Sequence, residues 1–236
     1  MKVIVLTINQ YKEKDAIVTA ISNNGLVTFL ARGIKDPKSK NASINNPLSI
    51  ADIELEEGNF KHPILKSSKQ LFTPMKTEMD TKYLGTLMLM NEVILYLFQD
   101  DEKYKLFNVL EEGIVALRKS NDWLKVLLIY LANATRLGGF ELEVNRCVLC
   151  GKRTGIVAFS FIEGGFICED CFQEDMERDL SKSQMLLLRS IFNVRTYDLL
   201  SDNYNKDDAL VIFHKLIDFM QEAFGYTFKN IRLLID

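Results

Sequence analysis

All four cysteines of the 236-residue chain fall in one stretch, C-V-L-C-G-K and, seventeen residues later, C-E-D-C. Two Cys-x-x-Cys pairs at this separation read as a metal site, because each pair can fold into a knuckle that turns two thiolates toward one cation. Cys147, Cys150, Cys168 and Cys171 are therefore the expected ligands of a Zn²⁺ ion. Gly151 suits the open backbone of the first knuckle. Two disulfides are the competing reading, but Met1 leads straight into a strand-like V-I-V-L run without a small-residue cleavage site, so no secretory signal is expected. A redox pair would need one Cys-x-x-Cys at a helix start in a βαβ setting, which neither pair has. Four sulfurs leave no coordination position for water, and the two histidines, in H62-P-I and H214-K-L, supply no His-x-Glu partner of the deaminase kind. The metal is thus expected to be structural.

The elements around the stretch follow from periodicity. Residues 3–8, 16–21, 26–31, 48–56 and 60–66 are short apolar, β-branched runs that read as strands. Asn24-Gly25 signals a hairpin turn between the second and third, Gly58-Asn59 joins the last two, and Pro63 marks the fifth as an edge or a bulge. Five strands without a helical crossover suit a small closed barrel, of the oligonucleotide-binding or the SH3-like kind. From residue 80 the period changes to 3.6: one helix carries Tyr83, Leu84, Leu87, Met88, Asn91, Ile94, Leu95 and Phe98 as its core stripe behind Asp80 as N-cap. Further helices are expected over 102–118, 122–137, 185–192 behind the capping box Ser181-x-x-Gln184, and 207–224. The spacer between the knuckles, 156–161 and 166–167 around E-G-G, reads as a β-hairpin.

Composition bounds the function. Hydrophobic residues make up 47% and charged residues 26%, an ordinary globular balance, and the longest apolar run, near 84–98, is broken by Asn91 and Glu92. The net charge of −3 is uneven: residues 1–80 hold 11 basic and 9 acidic side chains, and the remainder 18 and 23. A phosphate-bearing partner is expected at the N-terminal part. There the loop 32–46, R-G-I-K-D-P-K-S-K-N-A-S-I-N-N, is long and basic, and Arg32, Lys35, Lys38 and Lys40, with Ser39 as an added donor, are the candidate phosphate contacts. A solvated, mobile loop is the competing reading. Tyr11, Phe29 and Phe60 are candidates for stacking on bases, against the core packing that small barrels demand of aromatics. No phosphate loop, nucleophile elbow or H-E-x-x-H is present, so catalysis is not expected.

The segments G-L-V-T-F-L-A-R-G-I-K-D-P-K-S-K (25–40), L-G-G-F-E-L-E-V-N-R-C-V-L-C-G and F-S-F-I-E-G-G-F-I-C-E-D-C resemble the RecO recombination mediators of bacterial DNA repair, and the element order is similar over essentially the whole chain. Leu142 stands where that family often has proline, and Asn230 where serine is frequent. The resemblance implies a multidomain α+β protein: an N-terminal five-stranded OB-fold barrel (1–78), a helical domain (79–145 and 173–236) with a strand-like tail, and an inserted four-cysteine zinc module (146–172). It further implies binding to single- and double-stranded DNA, strand annealing, and action with RecR to help a RecA-type recombinase displace single-strand-binding protein. It implies no enzymatic turnover, no membrane partner, and a cytoplasmic, nucleoid-associated location in bacteria. For the acidic C-terminal tail of single-strand-binding protein, the physical expectation is an apolar pocket rimmed by basic groups drawn from Arg118, Lys125, Arg136, Lys215 and Lys229. An adaptor that docks proteins through its acidic helical part is the alternative function, and a metal-dependent nuclease or transferase is opposed by the missing motifs.

Overall fold

The computed structural model describes residues 1–57, 61–176, 178–197, 201 and 203–235. The chain divides into two compact units, Met1–Asn121 with Lys229–Asp236, and Asp122–Phe228.

The first unit begins with five strands, β1 (Lys2–Gln10), β2 (Ala16–Ser22), β3 (Gly25–Ala31), β4 (Ile50–Glu56) and β5 (Ile64–Phe72), closed in the order β1-β2-β3-β5-β4. All pairs are antiparallel except β3 with β5, which meet in parallel at Leu30 and Ile64. Closure removes free edges, and alternate residues fill the interior: Val3 and Val5, Ala16, Val18 and Ala20, Phe29 and Ala31, Ala51 and Ile53 are all buried there. Ile4 and Leu6, on the other face of β1, are buried too, and Asn91 of the following helix donates to the Leu6 carbonyl at 3.1 Å.

Two local expectations shift. The β2–β3 hairpin is present, but its turn residues are Asn23 and Asn24, neither at positive φ; Gly25 carries φ 117° as the first residue of β3. The Ser22 hydroxyl decides this register, donating to the Gly25 carbonyl (3.0 Å) and accepting from the Asn24 amide (3.2 Å). The fifth strand starts at Ile64 instead of Phe60, since Pro63 lacks an N–H and contributes only its carbonyl, which accepts from Leu30 N at 2.9 Å. Its Ser- and Lys-rich second half hides it from an apolar-run search. Gly58, Asn59 and Phe60 lie outside the described residues.

Helix α1 (Thr81–Tyr96) starts at Asp80, whose carboxylate accepts from Tyr83 N at 2.7 Å. Its buried face differs from the expected stripe: Tyr83, Leu87 and Ile94 are inside, but Leu84 and Met88 are exposed. The helix is apolar around most of its circumference, so spacing alone does not single out the face that packs. A 3₁₀ turn, Lys103–Leu106, precedes α2 (Phe107–Ser120), where a single helix from 102 was expected.

In the second unit, α3 (Trp123–Leu137) is buried from Leu124 to Thr135 and packs against α4 (Lys182–Asn193) and α5 (Lys206–Phe224). The Ser181–Gln184 capping box forms as expected. Strands β6 (Glu143–Cys147), β7 (Ile156–Ser160) and β8 (Gly165–Cys168) make a small sheet in the order β6-β8-β7. The hairpin of β7 and β8 is the expected one; β6, parallel to β8, is an addition. The tail is not strand-like: residues 229–235 return to the first unit and end in the short helix α6 (Arg232–Ile235). Among the described residues no helix is long and apolar enough to cross a membrane.

Candidate nucleic-acid interface and metal centre

Cys147 ends β6 and Cys168 ends β8, so the sheet brings the two knuckles side by side. Each knuckle is closed by its own backbone: Gly151 N donates to the Cys147 carbonyl (2.8 Å), and Cys171 N and Phe172 N to that of Cys168 (3.1 and 2.9 Å). Gly151 takes φ 77°. The four Sγ atoms lie within 4.8 Å of one another, and Cys150 and Cys168 are 3.6 Å apart. Tetrahedral Zn–S bonds of about 2.3 Å put sulfurs about 3.8 Å apart, whereas a disulfide needs about 2.05 Å. All four are free thiols, and the set suits one soft cation.

The electrostatics of the thiols favour a cation among them. Burial opposes ionisation of Cys147, but the amides of Cys168, Cys150 and Leu149 outweigh it and hold its pKa down to about 6. Cys171 is pushed up to about 12, chiefly by its contacts with the Cys150 and Cys168 thiols and then by burial. Four neighbouring sulfurs cannot all become thiolates unless positive charge sits among them. Outside them, the Lys152 ammonium of the first knuckle pairs with Asp170 of the second at 2.6 Å. Behind the sheet, Phe159 meets Phe161 and Phe166 at ring distances of 4.8 and 5.8 Å, and Phe161 meets Phe219 of α5 at 5.4 Å.

The basic loop belongs to the first unit and is folded, against the reading of a mobile segment. Ile34 and Ile44 are fully buried in the barrel core. A chain of turns runs between them, with Asp36 N donating to Gly33 O, Ser39 N to Asp36 O and Ala42 N to Ser39 O at 2.9–3.0 Å. Asn41 accepts from Ser68 of β5 at 3.2 Å. The loop opens at Gly33, whose φ of 64° lies in the left-handed region and whose amide donates to Asp15 Oδ1 at 2.9 Å. Gly33→Ala is expected to cost about 1–2 kcal/mol, while Gly33→Asn, which tolerates this backbone, costs less. Thermal unfolding of the two variants measures the difference.

These anchors leave Arg32, Lys38 and Lys40 exposed and Lys35 and Ser39 half-buried. The Lys35 ammonium donates to Gln10 Oε1 at 3.2 Å, a neutral acceptor, and among the described residues no carboxylate pairs with it. Ser39 Oγ accepts from Asn41 N at 3.2 Å. Among the described residues, the ammonium groups of Lys38 and Lys40 have no ion-pair partner. The acid of the loop, Asp36, binds Lys14 at 2.9 Å; this ammonium and then the Lys38 amide hold the Asp36 carboxyl below the usual carboxylate range.

Lys14 shows what the sequence reading missed. The β1–β2 turn, Y-K-E-K-D, packs beside the basic loop, with Lys35 N donating to the Lys14 carbonyl at 3.2 Å. Tyr11 and Lys12 thus join Arg32 and Lys35 at one end of the barrel. The signal was an aromatic residue with two lysines in a barrel turn. Of the three aromatic candidates, Phe29 is fully buried in the core, Tyr11 is 57% exposed, and Phe60 lies outside the described residues.

The basic groups expected around a peptide pocket are largely engaged elsewhere. The Arg118 guanidinium donates to the carbonyls of Thr73 (3.3 Å) and Met75, Arg136 donates to Asn133 Oδ1, and Lys125 is buried. Lys215 lines a cavity of about 540 Å³ with Phe140, Phe161 and Phe219, but it pairs with Asp179 at 3.1 Å, and Asp218 and Glu222 line the same cavity. Acids outnumber bases there, opposite to the charge an acidic peptide requires.

Comparison with known proteins gives a consistent result. The family model described as Recombination protein O N terminal matches residues 1–69, and that described as Recombination protein O C terminal matches residues 79–219. The DNA repair protein RecO of Bacillus subtilis (strain 168) is 24% identical over 235 residues, covering 98% of this chain and 91% of the relative. RecO of Bacillus cereus (strain B4264) is 26% identical over 239 residues, covering 98% and 94%. RecO of Bacillus pumilus is 26% identical over 190 residues, covering 79% and 73%.

Proposed function

This chain belongs to the recombination protein O family, and we propose that it acts in DNA repair as a recombination mediator that holds DNA on the basic loop of its N-terminal barrel. Arg32, Lys35, Lys38 and Lys40 neutralise phosphates there, and Ser39 donates a hydrogen bond. The observation that carries this reading is the loop itself, which is pinned into the barrel core at Ile34 and Ile44 and presents Lys38 and Lys40 to solvent. A mobile basic loop loses conformational entropy when it orders on a ligand; this one is already ordered, so its charges bind at lower cost.

Contacts of this kind grip the backbone and leave base edges free, which is the condition for holding single strands and annealing them to complements. Duplex DNA offers the same phosphates and is a second ligand. RecR, the tail of single-strand-binding protein and, through them, a RecA-type recombinase are the protein partners of this reading. The four cysteines hold Zn²⁺, which supplies cross-linking and no chemistry, since four sulfurs fill its coordination. Turnover plays no part in the proposal.

Salt dependence tests it. On a single strand, removing one basic group that touches a phosphate lowers the slope of log affinity against log salt by about 0.7, so replacing Arg32, Lys35, Lys38 and Lys40 together by alanine is expected to lower it by about 2.8. Annealing should slow in parallel. An unchanged slope and affinity would refute the loop assignment, and an absence of DNA binding by the unaltered protein would leave the adaptor reading.

A further inference from the structure

The β1–β2 turn carries a side chain that the fold does not use. Tyr11 is 57% exposed at the end of β1. The barrel's other described aromatics are turned inward, Phe29 fully and Phe72 in part. A single exposed ring is ordinary on a protein surface; what distinguishes Tyr11 is its place beside the basic loop.

The backbone around Tyr11 is closed by hydrogen bonds. Its amide and that of Lys12 both donate to the Asp15 carbonyl, at 3.0 and 3.3 Å, closing the turn on itself. Asp15 Oδ1 accepts from Gly33 N (2.9 Å), Lys14 O from Lys35 N (3.2 Å), Asp36 from the Lys14 ammonium (2.9 Å) and Gln10 Oε1 from the Lys35 ammonium (3.2 Å). Three ties from the turn and one from Gln10 at the end of β1 join this end of the barrel to the basic loop, so the backbone that carries Tyr11 and the loop that carries the charges are held together. The Lys12 ammonium stands 5.6 Å from the Tyr11 ring centroid. Lys14 is neutralised by Asp36; Lys12 makes a cation–π contact that leaves its charge in place, and no carboxylate among the described residues pairs with it.

We propose that Tyr11 is a base-stacking platform that gives this barrel a preference for unpaired strands, with Lys12 and Lys35 contacting the phosphates beside the stacked base. The inference rests on the DNA-binding reading above. Any base has a π-face, so such a platform is tolerant of sequence, but the face is covered in a duplex by neighbouring base pairs. Phosphate contacts alone treat single strand, duplex and abasic strand alike in kind; a ring adds a term for accessible bases only. In barrels of this topology, the β1–β2 loop and the face of β2 and β3 are where oligonucleotides lie.

The test uses the full-length protein, with fluorescence anisotropy on three labelled ligands: an oligothymidine, a strand of the same length made of abasic units, and a duplex. Tyr11→Ala is expected to weaken oligothymidine binding by about 5- to 150-fold, the equivalent of one stacked base, and to leave the abasic strand and duplex unchanged. Tyr11→Phe keeps the ring and should keep the affinity. Because the side chain is exposed, the unfolding temperature should not move. Equal losses on all three ligands, or none on any, would overturn the stacking role. If Tyr11→Ala is silent while neutralising the basic loop abolishes binding, the platform fails and the DNA-binding reading stands; if the unaltered protein binds none of the ligands, both fail.

Discussion

Cys147→Ser protein is expected to purify without stoichiometric zinc and with β6, β7 and β8 unprotected against hydrogen exchange, while the barrel exchanges as before. The sheet that carries the cysteines has only five, five and four residues per strand, too little to persist without a staple. Its apolar support is the group of Phe159, Phe161 and Phe166, and the knuckles themselves are held by only a few amide–carbonyl bonds. Structural zinc contributes about 10–16 kcal/mol of apparent folding free energy in small zinc-dependent domains, so an ion of that kind at the four cysteines would be the main staple of this sheet. Cys147 and Cys168 are the two buried cysteines of the set, and Cys147 ends the edge strand β6. The same logic sets the pH response. Metal binding must expel protons from the thiols, most of all from Cys171, which its neighbours push up to about 12, so affinity rises with pH and falls as the thiols are reprotonated. Elemental analysis of the purified variant, with exchange over 143–171, decides the matter. One zinc per chain with unchanged protection would rule out the four-cysteine site.

Glu92→Ala is expected to destabilise the first unit by about 3–5 kcal/mol and to free residues 229–235. Glu92 lies on α1 and is 3% exposed. Its carboxylate accepts from the Lys229 amide (2.7 Å), the Asn230 amide (3.0 Å) and the Asn230 side-chain amide (2.8 Å). Hydrogen bonds to an ionised group contribute roughly 1.5–3 kcal/mol each, part of which water recovers when the carboxylate is removed. A second clasp, from the Lys82 ammonium to the Leu234 carbonyl at 2.6 Å, and the buried Leu234 side chain hold the tail farther along. The chain thus leaves the first unit after Asn121 and returns to it at Lys229, and Glu92 receives the return. Glu92→Gln keeps the shape but sets an NH₂ group against N–H donors, and its cost should be intermediate. Denaturant midpoints, with amide exchange over 229–235, measure both; unchanged exchange in the alanine variant would show that the clasp contributes nothing.

Two positions that stood out in the sequence have structural roles: the Asn230 side-chain amide donates to the Glu92 carboxylate, and Leu142 is buried just before β6.

The features legible in the sequence are those set by neighbours a few residues away. Cys-x-x-Cys needs only a knuckle, so its spacing named the four sulfurs that meet. Asp80 and Ser181 cap helices by reaching amides three residues on, and the first four strands of the barrel declare themselves as short apolar, β-branched runs, the fifth only in part. The tertiary structure decided what depends on residues far apart. Which face of α1 packs was open because that helix is apolar nearly all round. Ile34 and Ile44 looked like strays in a polar loop until the barrel core closed over them. Tyr11 and Arg32 are more than twenty residues apart, and Glu92 and Asn230 are separated by 138. Local spacing holds no information on such meetings, because they are fixed by how closed sheets and packed helices bury apolar area. The sequence by itself therefore singled out the four cysteines that converge and the basic loop; only the fold could join that loop to an exposed tyrosine and turn the tail back onto α1.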